Sequence, residues 1–273
     1  MTNSITQNAL RALLYEVATE PKPGLVDPHH SGPHPDMNIY TFIDSSLSLT
    51  QYLTDAVIIG RNFKQTDLRQ MFFLLRQKGI SAEKAMFTAT EGINTHKGAI
   101  FALGIFTCAE SYSQIQNTNL FTTIRHMCCG LVKHDLGNLH QPQTAGEQEF
   151  IKYGYGGARA EAEQGYPLVE KVALPFLKNS TGSLQVRLLD TLMKIATVAN
   201  DSNLIKRAGN PQVINWLHQQ AKTYLALGGY ATPQGRKKLQ ELNQACLEHN
   251  YSLGGCADLL IVTIFVGLEQ EIL

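Results

Sequence analysis

Charge is scarce in this sequence. Charged residues make up 17% of the chain, where a typical globular protein has about a quarter. The 23 basic residues are balanced by 23 acidic ones. A net charge of zero leaves no electrostatic footprint for duplex DNA or an anionic membrane, so neither nucleic acid nor membrane is an expected partner. A small polyanion is different, because a local cluster of Lys and Arg suffices to hold one. The scarcity of charge, with 44% hydrophobic residues, also excludes a disordered chain. Long apolar runs are missing too: Leu259 to Val266, the most apolar stretch, falls far short of the ~20 residues of a bilayer span. Met1 to Tyr15 has no apolar segment of the signal-peptide kind. The five cysteines, Cys108, Cys128, Cys129, Cys246 and Cys256, include no C-x-x-C pair, so reduced thiols in a cytoplasmic protein are expected.

What is present is helical periodicity. Leu184, Leu188, Leu189, Leu192, Met193, Ile195 and Ala196 recur at the spacing of one helix face. Phe42, Ser46, Leu49, Leu53 and Val57 do the same, as do Ala85 and Ala89, then Ile100, Leu103 and Gly104. Alternating runs bounded by hairpin turns are almost absent. The 273 residues are long for one domain and short for two. The expectation is an all-α fold of roughly ten helices in a single domain, 1–273, with oligomeric state open.

The breaks between helices carry the chemistry. Pro21 to Pro35 holds five prolines and three histidines, a long loop. Gln141 to Tyr155, rich in Gln and Gly, reads as a second, and Ala208 to Pro211 and Gly228 to Gly235 as shorter turns. Long loops in a helical domain tend to be functional. In the first, two prolines fix the backbone on either side of Lys22, Gly24 permits a turn or close approach, and Asp27 follows. That suits phosphate or a metal–phosphate pair, or simply a stiff connection with an exposed lysine. At its end Asp36 is placed to cap a helix beginning at Met37. His29, His30 and His34 lack a fourth ligand at suitable spacing, which argues against structural zinc.

Glu91-Gly92-Ile93-Asn94-Thr95-His96-Lys97-Gly98 separates a helix over Ala82 to Thr90 from an apolar one over Ala99 to Phe106. Gly92 ends the first, and Asn94 or Thr95 caps the second. Lys97 and free backbone N–H groups then meet at a helix N-terminus, a ready anion site. The Walker pattern is missing, which excludes a P-loop ATPase. Arg159, two residues past Gly156-Gly157, is placed to clamp phosphate bidentately. Asp201 and Asn203, with Lys206-Arg207 one turn on, offer hard oxygens suited to Mg²⁺, or a helix cap. Asp258 lies beside apolar residues as a core carboxylate or a site residue, and Cys256 reads as a small buried residue.

At these residues the sequence resembles the triphosphoribosyl-dephospho-CoA synthases, which serve citrate lyase and, in a close branch, malonate decarboxylase. The matching pieces are E-V-A-T-E-P-K-P-G-L-V-D at Glu16 to Asp27, H-P-D-M at His34 to Met37 and G-I-N-T-H-K-G at Gly92 to Gly98. G-G-A-R-A-E-A at Gly156 to Ala162, N-D-S-N at Asn200 to Asn203 and G-G-C-A-D-L-L at Gly254 to Leu260 follow in the same order.

The resemblance implies an all-helical transferase. It joins the ribose 2′-hydroxyl of 3′-dephospho-CoA to C1 of the ATP ribose, releases adenine and keeps the triphosphate on the transferred sugar. The product is the precursor of a prosthetic group that a separate holo-acyl-carrier transferase attaches to an acyl carrier protein. Mg²⁺ is the expected cofactor, with ATP as substrate. Lys22, Lys97 and Arg159 are expected on the triphosphate, with Gly24, Asn94, His96, Gly98, Asn203 and Arg207 also in the binding site. Asp36, Glu91 and Asp201 are expected as catalytic carboxylates, and Asp27, Asp36 and Asp258 at the metal. The choice of general base stays open among these and Glu161. The loop from Pro21 to Asp36 is expected to order over the nucleotide. Two rival readings are a Mg-dependent hydrolase of nucleotides or ADP-ribosyl groups and a non-catalytic helical adaptor.

Overall fold

The computed structural model describes residues 2–137 and 145–273, with the backbone alone at residues 2, 3, 145, 146, 148 and 149. Among the described residues there are fifteen α-helices and no strand, as the periodicity requires. The expected count of ten was too low. Several helices are only six or seven residues long, too short to carry a periodic signal. The chain divides into two compact units, Met1–Leu14 with Thr41–Pro167 and Tyr15–Tyr40 with Leu168–Leu273.

The first unit holds most of α1 (Thr2–Ala18) and α2 (Ile39–Ser48), then α3 (Thr50–Asn62), α4 (Leu68–Ala89), α5 (Lys97–Gln116), α6 (Leu120–Met127), α7 (Leu131–Leu136), α8 (Ala145–Tyr153) and α9 (Gly157–Glu163). Its centre is α5, which packs against α3, α4, α6 and α9. Ala99, Ile100, Leu103, Ile105, Phe106, Cys108 and Ala109 are all buried, so apolar residues cover every side of this helix, as its sequence demands. Helix α3 approaches it closely. A Cβ at Gly60 would overlap the Cys108 carbonyl, and one at Gly104 would overlap the Tyr52 ring and hydroxyl. The Tyr52 hydroxyl donates to the Ile100 carbonyl at 3.0 Å. Glu163 of α9 caps α7, accepting from Gly130 N at 2.9 Å and Val132 N at 3.0 Å.

The second unit contains α10 (Leu174–Asn179), α11 (Leu184–Ala196), α12 (Ser202–Ala208), α13 (Val213–Ala226), α14 (Pro233–His249) and α15 (Gly254–Glu269). The apolar run read as too short for a membrane is the middle of α15, buried against α10, α11 and α12. No helix among the described residues is long and apolar enough to cross a membrane. Helix starts follow local chemistry: Ser183 caps α11, and Thr232 caps α14 with Pro233 in its first turn.

Three local expectations are corrected. The second long loop is in part helix, since α8 runs from Ala145 to Tyr153; residues 141–144 lie outside the described residues. The turn after Gly228 ends at Thr232, where Pro233 favours helix. Helix α2 begins at Ile39, and Asn38 accepts from Tyr40 N at 2.9 Å in the role expected of Asp36.

Candidate functional site

Within the second unit the Pro21–Pro35 segment begins buried. Lys22 is not the exposed lysine of a stiff connection: its side chain is 1% exposed and pairs with Glu16 at 2.5 Å. Its ammonium also donates to the Glu16 carbonyl at 2.7 Å. Asp27 turns back on the segment's own backbone, accepting from Lys22 N at 3.1 Å and from His29 N and His30 N at 2.9 Å each. Gly24 has φ +67°, and a Cβ there would stand 2.7 Å from the Tyr251 carbonyl oxygen. Its N–H donates to Asn243 Oδ1 at 3.1 Å. This glycine serves close packing inside the unit. Lys22 to Asp27 is therefore buried, whereas His29, His30 and Asp36 are exposed.

The N-D-S-N and G-G-C-A-D motifs meet at the starts of α12 and α15. Asp201 caps α12, accepting from Leu204 N at 3.1 Å, and its other oxygen accepts from Cys256 N at 2.8 Å. One buried carboxylate thus holds two helix starts. Burial pushes its pKa up, and the hydrogen bonds from Cys256 and Leu204 oppose that push. The two glycines of the second motif lie against these side chains: a Cβ at Gly255 would meet the Asp201 carboxylate, and one at Gly254 the Asn203 amide. Asn203 itself is exposed. Burial and Asp201 push the Cys256 thiol far up, so it is the inert buried residue expected. Asp258 is part-buried, and no described residue donates a hydrogen bond to its carboxyl. Desolvation, then the charges of Asp201 and Glu16, hold its pKa well above the ordinary carboxylate range.

Arg207 ties the loop to the end of α14. It donates to the Pro33 carbonyl at 3.1 Å, the Asn250 carbonyl at 3.1 Å and Asn250 Oδ1 at 2.7 Å. It also donates to His34 Nδ1 at 3.1 Å, which leaves the ring proton on Nε2, directed at Ser252 Oγ 3.0 Å away. Burial first, and Arg207 second, lower the His34 pKa to about 4.

In the first unit, α4 ends at Ala89, with Glu91 exposed at φ 54° and Gly92 at φ 90°. Asn94 Oδ1 accepts from Lys97 N at 3.3 Å, a loose cap of the expected kind. His96 is buried: Nδ1 lies 2.6 Å from Ser45 Oγ, and the ring packs edge-on to Phe42. It fixes the start of α5 from inside the unit. Lys97 is 42% exposed and pairs with Glu83 at 2.9 Å, and Gly98 follows it in the first turn.

Arg159, on α9, is 24% exposed and paired twice. Nε donates to Asp135 at 2.9 Å and Nη2 to Glu147 at 3.2 Å. Asp135 also accepts from Arg76 at 2.7 Å and lies 2.9 Å from His134 Nδ1. Burial raises its pKa, but the hydrogen bonds from Arg76, His134 and Arg159 outweigh that and hold it at about 2. Sequence reasoning missed Asp135. Its two arginine partners are 59 and 24 residues away. The available signal was indirect, since a part-buried Arg159 demands a counter-charge.

Among the described residues no three His, Cys, Asp or Glu side chains converge as a ready metal cage. Mg²⁺ needs no such cage, because phosphate and water complete its octahedron. Asp258 fits a place in that shell: it receives no hydrogen bond from a described residue, and its ionised form is disfavoured by burial and two neighbouring carboxylates, a penalty that a cation relieves. Asp27, committed to three backbone N–H groups, fits less well.

The chain matches the family model described as ATP:dephospho-CoA triphosphoribosyl transferase over residues 2–273. It is 50% identical to a protein named probable 2-(5''-triphosphoribosyl)-3'-dephosphocoenzyme-A synthase from Lactiplantibacillus plantarum, over all of this chain and 99% of that one. It is 52% identical to protein CitXG of Leuconostoc mesenteroides subsp. cremoris, over 97% of this chain and 59% of that protein. A relative from Citrobacter koseri with the same name as the first is 38% identical, over 97% of this chain and 90% of that one. No solved structure matches. The motifs expected to carry the transfer all fall inside the matched span, and the chain belongs to the ATP:dephospho-CoA triphosphoribosyl transferase family.

Proposed function

We propose that the family's transfer runs in this chain as a substitution at C1 of the ATP ribose. The 2′-hydroxyl of 3′-dephospho-CoA attacks, adenine leaves, and the triphosphate stays on the transferred sugar. The observation that carries this reading is the family match over residues 2–273, with all six motif segments inside it. Departure of adenine builds oxocarbenium character at the sugar, which a nearby carboxylate stabilises. The attacking hydroxyl needs a general base. The triphosphate is retained, so its contacts position the sugar and do not stabilise a leaving group.

The roles divide by what each side chain is free to do. Lys97 and Arg159 keep unused N–H donors and hold phosphate oxygens. Asn94 and Gly98 lie beside Lys97 in sequence, and Asn203 presents an exposed amide at the start of α12. Lys22, Gly24, His96 and Arg207 act on the protein, fixing the segments that carry the ligand-binding groups. Asp36 and Glu91 are exposed and serve as base and as stabiliser of the sugar cation. Asp201 holds two helix starts and serves the geometry. Mg²⁺, held by Asp258 and the phosphates, would neutralise triphosphate charge. Residues 1–273 act as a single catalytic domain, since neither compact unit is a continuous piece of chain. The product would pass to a carrier-protein transferase of citrate lyase or malonate decarboxylase in the cytoplasm.

Incubation with Mg-ATP and 3′-dephospho-CoA should yield free adenine and one nucleotide product carrying the mass of both parts. ADP or phosphate in proportion, or adenine released without dephospho-CoA, would overturn the transfer. Asp36→Asn and Glu91→Gln should each lower kcat by about 100-fold or more. Normal turnover in both would remove them from the chemistry.

A further inference from the structure

The Arg159 guanidinium has five N–H donors in a planar fork. Two of them, at Nε and on one side of Nη2, meet Asp135 and Glu147. The remaining three make no bond to a described residue, although the side chain is three-quarters buried. The contact that fixes the plane of the fork is the one to Nε. Its acceptor, Asp135, is 5% exposed and sits on α7, between Arg76 of α4 and Arg159 of α9. One carboxylate oxygen takes Arg76 and His134, and the other takes Arg159 alone. Arg76, 40% exposed, supplies a second positive charge, so Asp135 stays ionised without spending its second oxygen.

We propose that Asp135 is the positioning residue for Arg159, holding the guanidinium so that the Nη1 edge and half of Nη2 face an inorganic or nucleotide triphosphate. This rests on the reading of Arg159 as a phosphate ligand. A guanidinium fixed on its Nε side presents two parallel N–H groups to a phosphate, the geometry that separates Arg from Lys. Because the fork is fixed before the ligand arrives, little ordering entropy is lost on binding. Asp135 touches no reacting atom. Its effect belongs in binding of the triphosphate and not in the rate of the chemical step.

Steady-state kinetics of adenine release separate the two assignments, with inorganic tripolyphosphate and adenosine as competing inhibitors. Arg159→Ala should raise the ATP KM by about tenfold and weaken tripolyphosphate by a similar factor, with adenosine inhibition unchanged. Asp135→Asn should do the same at nearly constant kcat, and the double variant should be no worse than Arg159→Ala. Arg76→Gln should leave the ATP KM within about twofold of the parent, since it removes a counter-charge and not the Nε contact. If Asp135→Asn is too unstable to assay, Asp135→Glu keeps the charge and displaces it by one methylene, and should still raise KM. An Arg159→Ala variant with normal ATP KM overturns the phosphate reading itself. A normal Arg159 dependence, with Asp135 variants of unchanged KM, with additive double variants, or with adenosine affected equally, overturns the positioning role alone.

Discussion

Lys22 and Lys97 look alike in sequence and do opposite things in the fold. Each lies within two residues of a glycine, and each pairs with a glutamate, Glu16 or Glu83. Lys22 is 1% exposed, and Lys97 is 42% exposed. At the first, Glu16 and the Glu16 carbonyl are the lysine's working partners, and the charge is there to make burial tolerable. At the second, a solvent-screened pair holds little energy, which is what the proposed phosphate role requires. A lysine beside glycine in a stiff turn thus says where a cation is fixed. Burial says whether it is committed to protein or left open to solvent.

The sharpest way to break this contrast is to remove both ammonium groups. Lys22→Met should cost about 3–5 kcal/mol in urea unfolding, because Glu16 is left buried without its partner. Adding Glu16→Gln should recover much of that loss. Lys97→Met should cost less than about 1 kcal/mol and instead raise the ATP KM. Equal stability losses at the two sites would end the distinction.

A smaller effect tests Asp258, whose raised pKa means that the folded state prefers the proton. Stability linked to it falls as pH rises from the ordinary carboxylate range through its folded pKa. Asp258→Asn should therefore raise Tm at pH 7 by about 2–4 °C while impairing Mg-ATP use, and should change Tm little near pH 4. A destabilised variant at neutral pH would mean that the carboxylate is satisfied in the folded chain. The smallest effect belongs to His34. Its folded pKa of about 4 lies below the ordinary 6.5, so stability is full above pH 6.5 and is lost as pH falls from there toward 4. His34→Gln should flatten that slope in pH-dependent unfolding. An unchanged slope would show that Arg207 and burial do not act on this ring.

The helical class was legible because α11 and the α2–α3 stretch repeat their apolar residues at helical spacing over several turns. Helices α7 and α10 were not, since six residues show too little of any period. Gln and Gly made Gln141 to Tyr155 look like loop, although Ala145 to Tyr153 forms α8. In the site, helix-start residues such as Asn94 and Asp201 could be placed because capping is a local rule. Arg207 and Asp135 could not: their partners lie tens of residues away, and composition carries no trace of such pairs. Asp201 shows the boundary within one side chain. Its cap on Leu204 follows from three residues of sequence, and its hold on Cys256 does not.

The contact between α3 and α5 has a further consequence for accuracy. Gly60 and Gly104 fix α5 against its neighbour without contributing a side chain to any chemistry. Gly104 lies seven residues along the same helix from Lys97, about 10 Å at the helical rise. A slip of one residue at that contact would carry Lys97 about 1.5 Å along the axis and turn it by about 100°. The aim of the lysine is thus calibrated two turns away, by the absence of two methyl groups. Enlarging either glycine would make itself felt first as an error of alignment at the tip of the helix.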